Sequence, residues 1–203
     1  CDQAHRLMRI VGGNLRGKKL LLPEDKRIRP TSDRTREALF NILGHDGDMR
    51  SEHGPLPTEA RTLDLFAGTG ALGLEALSRG AGHVTFIDNH PDSLKLIGAN
   101  IRHMNLSRRA DILRQDVASL GNTSAPYDLV LMDPPYGADL AIPCILALKE
   151  GNWLKPSAII VIELGMKDMF ELPHGFDLLK DRTYGAARLI FLRIIPDQYG
   201  GTS

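Results

Sequence analysis

Short apolar runs alternate with stretches in which apolar residues recur every three or four positions along most of the chain, the pattern of strands and helices taking turns in an α/β fold. The runs Thr62–Phe66, His83–Ile87, Asp111–Arg114, Leu129–Met132 and Ala158–Ile162 have strand length. Between them, a helix through Leu74, Ala76 and Leu77 stops at Arg79-Gly80, a second spans Asp92–Met104 behind Pro91, and a third spans Leu140–Lys149, burying Ile142, Cys144, Ile145 and Leu146. Trp153 and Leu154 cover the sheet ahead of the fifth run. Two further runs, Phe176–Tyr184 and Ala187–Ile195, meet at Gly185-Ala186 and close the sheet as an antiparallel hairpin. Seven strands, mostly parallel, with helices on both faces are therefore expected.

The N-terminal part reads differently. Met8–Pro23 suggests two short strands about a glycine-rich turn, decorated by Arg9, Arg16, Lys18 and Lys19. Pro30 holds Arg29 extended, Thr31 or Ser32 can cap, and Asp33 suits the first turn of a helix with Ala38, Leu39, Ile42 and Leu43 on one face. Residues 44–60, rich in Gly, Pro and charge, read as a surface loop and the most mobile segment. The expected division is a leader or remnant over 1–7 ahead of Met8, an N-terminal hairpin and helix over 8–43, the loop over 44–60, a main domain over 61–196 and a tail over 197–203.

Composition narrows the class. With 203 residues, 42% of them hydrophobic, the chain supports one α/β core. Cys1 and Cys144 are too few and too far apart for a disulfide framework or a metal cluster, which points to a reducing, cytoplasmic setting; Cys144 reads as a core thiol. No apolar run reaches the roughly 18 residues of a membrane span. Net charge is zero, yet residues 1–36 hold ten Lys or Arg against four acids, leaving 15 against 21 in the remainder. Such a basic end suits a polyanion.

Two stretches carry chemistry. In Asp64-Leu-Phe66-Ala67-Gly68-Thr69-Gly70-Ala-Leu-Gly73 a strand runs into a glycine turn that opens a helix, where backbone approaches a ligand closely and free N–H groups face it. The glycines also satisfy G-x-G-x-x-G, a weak dinucleotide signal on its own. Asp64 tips the balance: a carboxylate there repels pyrophosphate but attracts the ammonium and sulfonium charges of S-adenosylmethionine. Asp88, followed by Asn89, ends the second strand and suits ribose hydroxyls. Asp116, followed by Val117, ends the third and suits an adenine amino group. In Asp133-Pro134-Pro135-Tyr136 a buried strand stops at a carboxylate, a carbonyl with no neighbouring N–H donor and an aromatic face, a platform for a planar group bearing NH2. Thus the first four strands end in Asp64, Asp88, Asp116 and Asp133, on one edge if the sheet is parallel.

Asp64-x-x-x-Gly68-x-Gly70 with Asp133-Pro-Pro-Tyr136 resembles the class I S-adenosylmethionine-dependent methyltransferases that act on exocyclic amino groups. More closely, Arg9-Ile-Val-Gly-Gly13, Arg29-Pro-Thr-Ser-Asp33-Arg34-x-Arg36-Glu-Ala-Leu-Phe-Asn-Ile42, the run Leu63–Gly80 and Tyr184-Gly185 resemble the bacterial 16S rRNA guanine-N2 methyltransferase family of the RsmD type, over Met8 to about Arg193. The resemblance implies a Rossmann-like sheet in the order 3-2-1-4-5-7-6 with an N-terminal β-hairpin extension. It also implies N2 methylation of a guanine in 16S rRNA within the 30S subunit, with S-adenosyl-L-homocysteine as product.

On this reading Asp133, Pro134, Pro135 and Tyr136 are catalytic. Arg29, Pro30 and Thr31 lid the cofactor, while Asp64, Phe66, Ala67, Gly68, Thr69, Gly70, Asp88, Asn89, Asp116, Val117 and Asp133 line its site. Arg9, Arg16, Lys18, Lys19, Arg34 and Arg36 contact RNA phosphates. No metal, membrane or DNA partner is expected, and the chain is expected to act as a monomer. The rival readings are an amino methyltransferase of another carrier, adenine N6 or glutamine N5, a nicotinamide-dependent oxidoreductase that would leave Asp133–Tyr136 idle, and a non-enzymatic RNA-binding module.

Overall fold

Ser32 starts the first α-helix: its Oγ accepts the Thr35 N–H at 3.1 Å and caps helix α1 (Asp33–His45). The computed structural model describes residues 8–23, 32–135, 137 and 139–196. After α1 come the two short strands β1 (Arg50–Ser51) and β2 (Gly54–Pro55), then β3 (Arg61–Leu65), α2 (Ala71–Ser78), β4 (His83–Asp88), α3 (Pro91–His103), β5 (Ala110–Arg114), β6 (Tyr127–Met132), α4 (Ala141–Glu150), β7 (Leu154–Gly165), β8 (Phe176–Tyr184) and β9 (Ala187–Ile194).

Seven of these strands form one sheet in the order β5-β4-β3-β6-β7-β9-β8. The first five in that order are parallel, and β9 and β8 are antiparallel, as expected. Every residue of β6 is buried, so Leu129, Val130, Leu131 and Met132 each contribute about 1.5–3 kcal/mol of side-chain burial at the centre of the sheet. One face packs against α1, α2 and α3 through Leu39, Phe40, Leu74, Leu77, Ile97 and Ile101. The other packs against α4 and Trp153, whose ring stacks on Tyr127. The chain therefore winds outward in both directions from β3 and β6, and this switch point opens a crevice at their C-terminal ends.

The expected N-terminal hairpin is present and short: an antiparallel bridge, Arg9–Lys19, is flanked by Leu20 N–H to Met8 O and Ile10 N–H to Lys18 O, both 2.9 Å, around a 3-10 turn at Gly13–Leu15. Its outward-facing backbone groups bond side chains of α2 and α3: Val11 donates to Glu75 and Leu21 to Asn100. Three local expectations are corrected. Residues 44–60 are not a plain surface loop. They carry the β1–β2 hairpin and bury Met49, Leu56 and Ala60, while Lys180 and Lys155 tie Asp46 and Glu52 down at 2.6 and 3.3 Å. Leu146 is exposed, because the buried stripe of α4 runs through Ala141, Cys144, Ile145 and Leu148. β7 is also longer than expected, beginning at Leu154.

Candidate active site

The glycine turn forms because three of its residues take left-handed backbone angles: Phe66 at φ 57°, Gly68 at 54° and Gly70 at 78°. Glycine adopts these freely, whereas a phenylalanine does so under strain, a feature that marks functional turns. Two carboxylates hold the turn in place. Asp64 Oδ2 accepts the Gly73 N–H at 2.9 Å, and Asp88 Oδ2 accepts the Gly68 N–H at 2.9 Å while its Oδ1 accepts the His90 N–H at 2.8 Å. Gly73 sits where α2 crosses β4; a Cβ there would overlap the Phe86 ring and lie 2.8 Å from Val84 Cγ1.

Parallel pairing fixes what stands beside the turn. Leu65 is paired with Met132, so Asp133 leaves β6 beside Phe66, and Met132 is paired with Ile162, so Glu163 stands beside Asp133. Pro134 is buried and Pro135 exposed. Asp116 lies past β5, exposed, with Oδ1 accepting the Ala118 N–H at 3.0 Å, and Val117 is buried next to it. Asn89 is exposed at the end of β4. The expected residues Asp64, Phe66, Ala67, Gly68, Thr69, Gly70, Asp88, Asn89, Asp116, Val117, Asp133, Pro134 and Pro135 thus share one edge of the sheet. Arg29, Pro30, Thr31 and Tyr136 lie outside the described residues.

The electrostatics are one-signed. Burial raises the Asp64 carboxyl well above its ordinary range, the Gly73 N–H opposes that rise, and the charges of Asp133 and Asp88 add to it. Residues 62–78 contain no Lys or Arg. The turn itself offers no cation to a pyrophosphate, whereas a cationic ligand relieves the repulsion among Asp64, Asp88 and Asp133. The turn, the ring of acids and the open edge fit S-adenosylmethionine, with its sulfonium and ammonium groups. Cys144 takes no part: burial, and then the charge of Asp116, push its thiol up to about 11, which keeps it an inert core group.

Of the basic residues, Arg9, Arg16, Lys18, Lys19 and Arg34 are exposed. Arg36 is not a surface group, and its expected role in phosphate contact is overturned: the side chain is 0% exposed. It bonds Asp33 Oδ1 at 2.8 Å and the Arg9 carbonyl at 2.6 Å, and faces Glu75 at 4.0 Å. The sequence held a sign of this, since Arg36 precedes Leu39, Phe40 and Leu43 at helical spacing and so falls on their stripe. Glu75, the one charge in the apolar helix Ala71–Ser78, was also visible and went unassigned. Asn100, buried in α3, could not be told from a surface asparagine.

The family model described as conserved hypothetical protein 95 matches residues 8–193. A ribosomal RNA small subunit methyltransferase D of Haemophilus influenzae is 35% identical over 182 residues, covering 88% of this chain and 89% of that protein. A solved structure from Escherichia coli, described as a methyltransferase, is 31% identical with a TM-score of 0.79, covering 93% of this chain and 98% of that one. A release factor glutamine methyltransferase of Shewanella oneidensis is 39% identical over 143 residues, but these cover 58% of this chain and 49% of that protein. With the fold, the near-full-length likeness and the family match in agreement, the chain belongs to the conserved hypothetical protein 95 family, that of the ribosomal RNA small subunit methyltransferase D proteins, and has a class I methyltransferase fold.

Proposed function

We propose that the protein methylates the exocyclic N2 amino group of a guanine in 16S rRNA, with S-adenosylmethionine as donor and the 30S subunit or an assembly intermediate as substrate, in the cytoplasm. The observation that carries this reading is the placement of Asp133, followed by two prolines, just past the end of the strand paired with that of buried Asp64 and its glycine turn. The bound cofactor would supply an electrophilic methyl group on a sulfonium centre. Asp64 would balance its positive charge, the turn from Phe66 to Gly70 would lie against it, and Asp116, with Asn89 and Val117 alongside, would face its base. Asp88 already accepts two N–H groups, yet each carboxylate oxygen retains a lone pair for a ribose hydroxyl. Arg29, Pro30 and Thr31 are assigned to the covering segment.

The chain's own groups set up the transfer. A guanine amino lone pair is delocalised into the ring and is a poor nucleophile. The Asp133 carboxylate accepts one amino hydrogen and the Pro134 carbonyl the other, which turns the nitrogen lone pair out of the ring plane toward the methyl. Pro134 and Pro135 have no N–H to compete for these acceptors. No strong base is needed beforehand, because the methylated nitrogen is a far stronger acid and passes its proton to Asp133 or to water. Tyr136 is assigned to stacking on the base, worth about 1–3 kcal/mol, against a few kcal/mol for drawing a base from its stack.

A second reading, N5 methylation of a glutamine, is favoured by the likeness to the release factor enzyme, since Asp133 and Pro134 recognise an amino group and not its carrier. The exposed basic set Arg9, Arg16, Lys18, Lys19 and Arg34 supports the RNA reading. The test is incubation with methyl-labelled S-adenosylmethionine and, in parallel, under-methylated 30S subunits, free 16S rRNA, duplex DNA and a release factor. Label in N2-methylguanosine from the subunit supports the proposal. Label in N6-methyladenine or in protein transfers the same chemistry to another carrier.

A further inference from the structure

The N-terminal extension is joined by side-chain bonds to the helices that carry the glycine turn. Val11 N–H donates to Glu75 Oε2 at 2.9 Å, Leu15 N–H donates to Ser78 Oγ at 2.9 Å, and Ser78 Oγ donates to the Gly12 carbonyl at 2.5 Å. One residue reaches the turn itself. Asn100 of α3 is fully buried; its Oδ1 accepts the Leu21 N–H at 2.7 Å, and its Nδ2 donates to the Leu21 carbonyl at 3.1 Å and to the Thr69 carbonyl at 3.1 Å. The amide has one stable orientation, because a flip would set its oxygen against two carbonyl oxygens. Ile97, one turn earlier on α3, lies under the same loop, where a Cβ on Gly70 would come within 3.3 Å of its Cγ1.

A single buried amide therefore bonds Thr69, between the two turn glycines, and Leu21, two residues beyond Lys19 of the basic surface. Unmaking either half of this group would leave buried polar atoms unsatisfied, so displacement at one end is resisted at the other. We propose that Asn100 is a positioning residue that couples the two surfaces: cofactor bound at the glycine turn tightens RNA binding by the extension, and RNA tightens cofactor binding by the same factor. This rests on the reading of the turn as the cofactor site and of the basic extension as an RNA contact. A purely structural Asn100 would change stability and leave that factor untouched.

The test is calorimetric titration of S-adenosylhomocysteine into the protein with and without saturating under-methylated 30S subunits, for the native chain, Asn100→Ala and Asn100→Asp. The aspartate keeps the acceptor for Leu21 N–H and loses both donations. The native ratio of the two dissociation constants is expected to be about fivefold or more, and to fall within about twofold of unity in both variants. A native ratio of one overturns the coupling and leaves the proposed function standing, whereas native protein that binds no S-adenosylhomocysteine overturns the functional reading beneath it. Variants that keep the native ratio remove Asn100 from the role. Should the variants not fold, hydrogen exchange on the native chain decides. S-adenosylhomocysteine should slow the Leu21 amide by about fivefold and spare that of Arg16, which bonds Gly13 O within the extension. Equal slowing, or none at Leu21, overturns the proposal.

Discussion

Asp64 Oδ2 and the Gly73 N–H, nine residues apart in sequence, lie 2.9 Å apart and close the glycine turn from beneath. This bond is made by a carboxyl that burial and its neighbours Asp133 and Asp88 push toward the neutral form. Because the folded value is raised, the stabilising contribution of Asp64 is full below the ordinary carboxylate value near 3.9 and is lost as pH rises through the raised one. A cationic ligand favours the ionised form. Cofactor binding should therefore release protons and tighten as pH rises through that range, and Asp64→Asn should flatten the dependence. Calorimetry in two buffers of different ionisation enthalpy measures the release; a proton count of zero at every pH at which the protein stays folded would contradict it.

Gly73 offers a test of packing. In a helix interior alanine is favoured over glycine by about 1 kcal/mol, so Gly73→Ala would stabilise an isolated helix. Here a Cβ would drive into the buried ring of Phe86, and overpacking of this kind costs about 1–3 kcal/mol or more. The clash should win. We expect a melting temperature lower by about 2–8 °C, with part of the loss recovered when Phe86→Leu is added. A Gly73→Ala protein as stable as the native one would mean that α2 can shift away from β4 at little cost.

Asp133 should separate chemistry from binding. Asp133→Ala removes an acceptor placed for the reacting amino group, and loss of one such group typically lowers turnover by about 10²–10³. It also removes a negative charge that repels the Asp64 carboxylate. Cofactor affinity should accordingly stay within about threefold of native. Single-turnover methyl transfer together with a cofactor titration tests both halves, and a large loss of cofactor binding would show that Asp133 holds the ligand rather than the substrate.

The central sheet was legible because its signals are local. Periodicity placed β3 to β6 and the Gly185-Ala186 turn placed β8 and β9, while their order came from the resemblance alone and is the observed one. What escaped was long-range. The segment Met8–Pro23 pairs with itself as the expected hairpin, but its bonds to Glu75, Ser78 and Asn100, between 63 and 79 residues away in sequence, left no local sign. Residues 44–60 looked like a loop because charged residues outnumber Met49, Leu56 and Ala60, the three that anchor it. The edge that gathers Asp64, Asp88, Asp116 and Asp133 was predictable from parallel pairing; a strand-end Asp64 bonding loop N–H groups is the plain alternative to a ligand role, and the sequence could not decide between them, since an acid at a strand end looks the same whether it faces a ligand or a backbone N–H.

The basic residues divide into two kinds, and the division can be measured. Arg9, Arg16, Lys18, Lys19 and Arg34 are exposed, so replacing Arg16, Lys18 and Lys19 together with glutamine should leave the fold intact. RNA binding should weaken, and its salt dependence should flatten by up to about one unit of log–log slope for each phosphate no longer neutralised. Arg36 should behave in the opposite way. Its guanidinium is buried among Asp33, Glu75 and the Arg9 carbonyl, and Arg36→Met would leave Glu75 without one of its buried cations, a change that costs about 3–5 kcal/mol when a buried pair is broken. The expected result is a large fall in melting temperature, with the salt slope of the remaining folded protein unchanged. Should Arg36→Met instead melt like the native chain and bind RNA with a flatter salt dependence, α1 must turn this side chain outward when it meets its substrate.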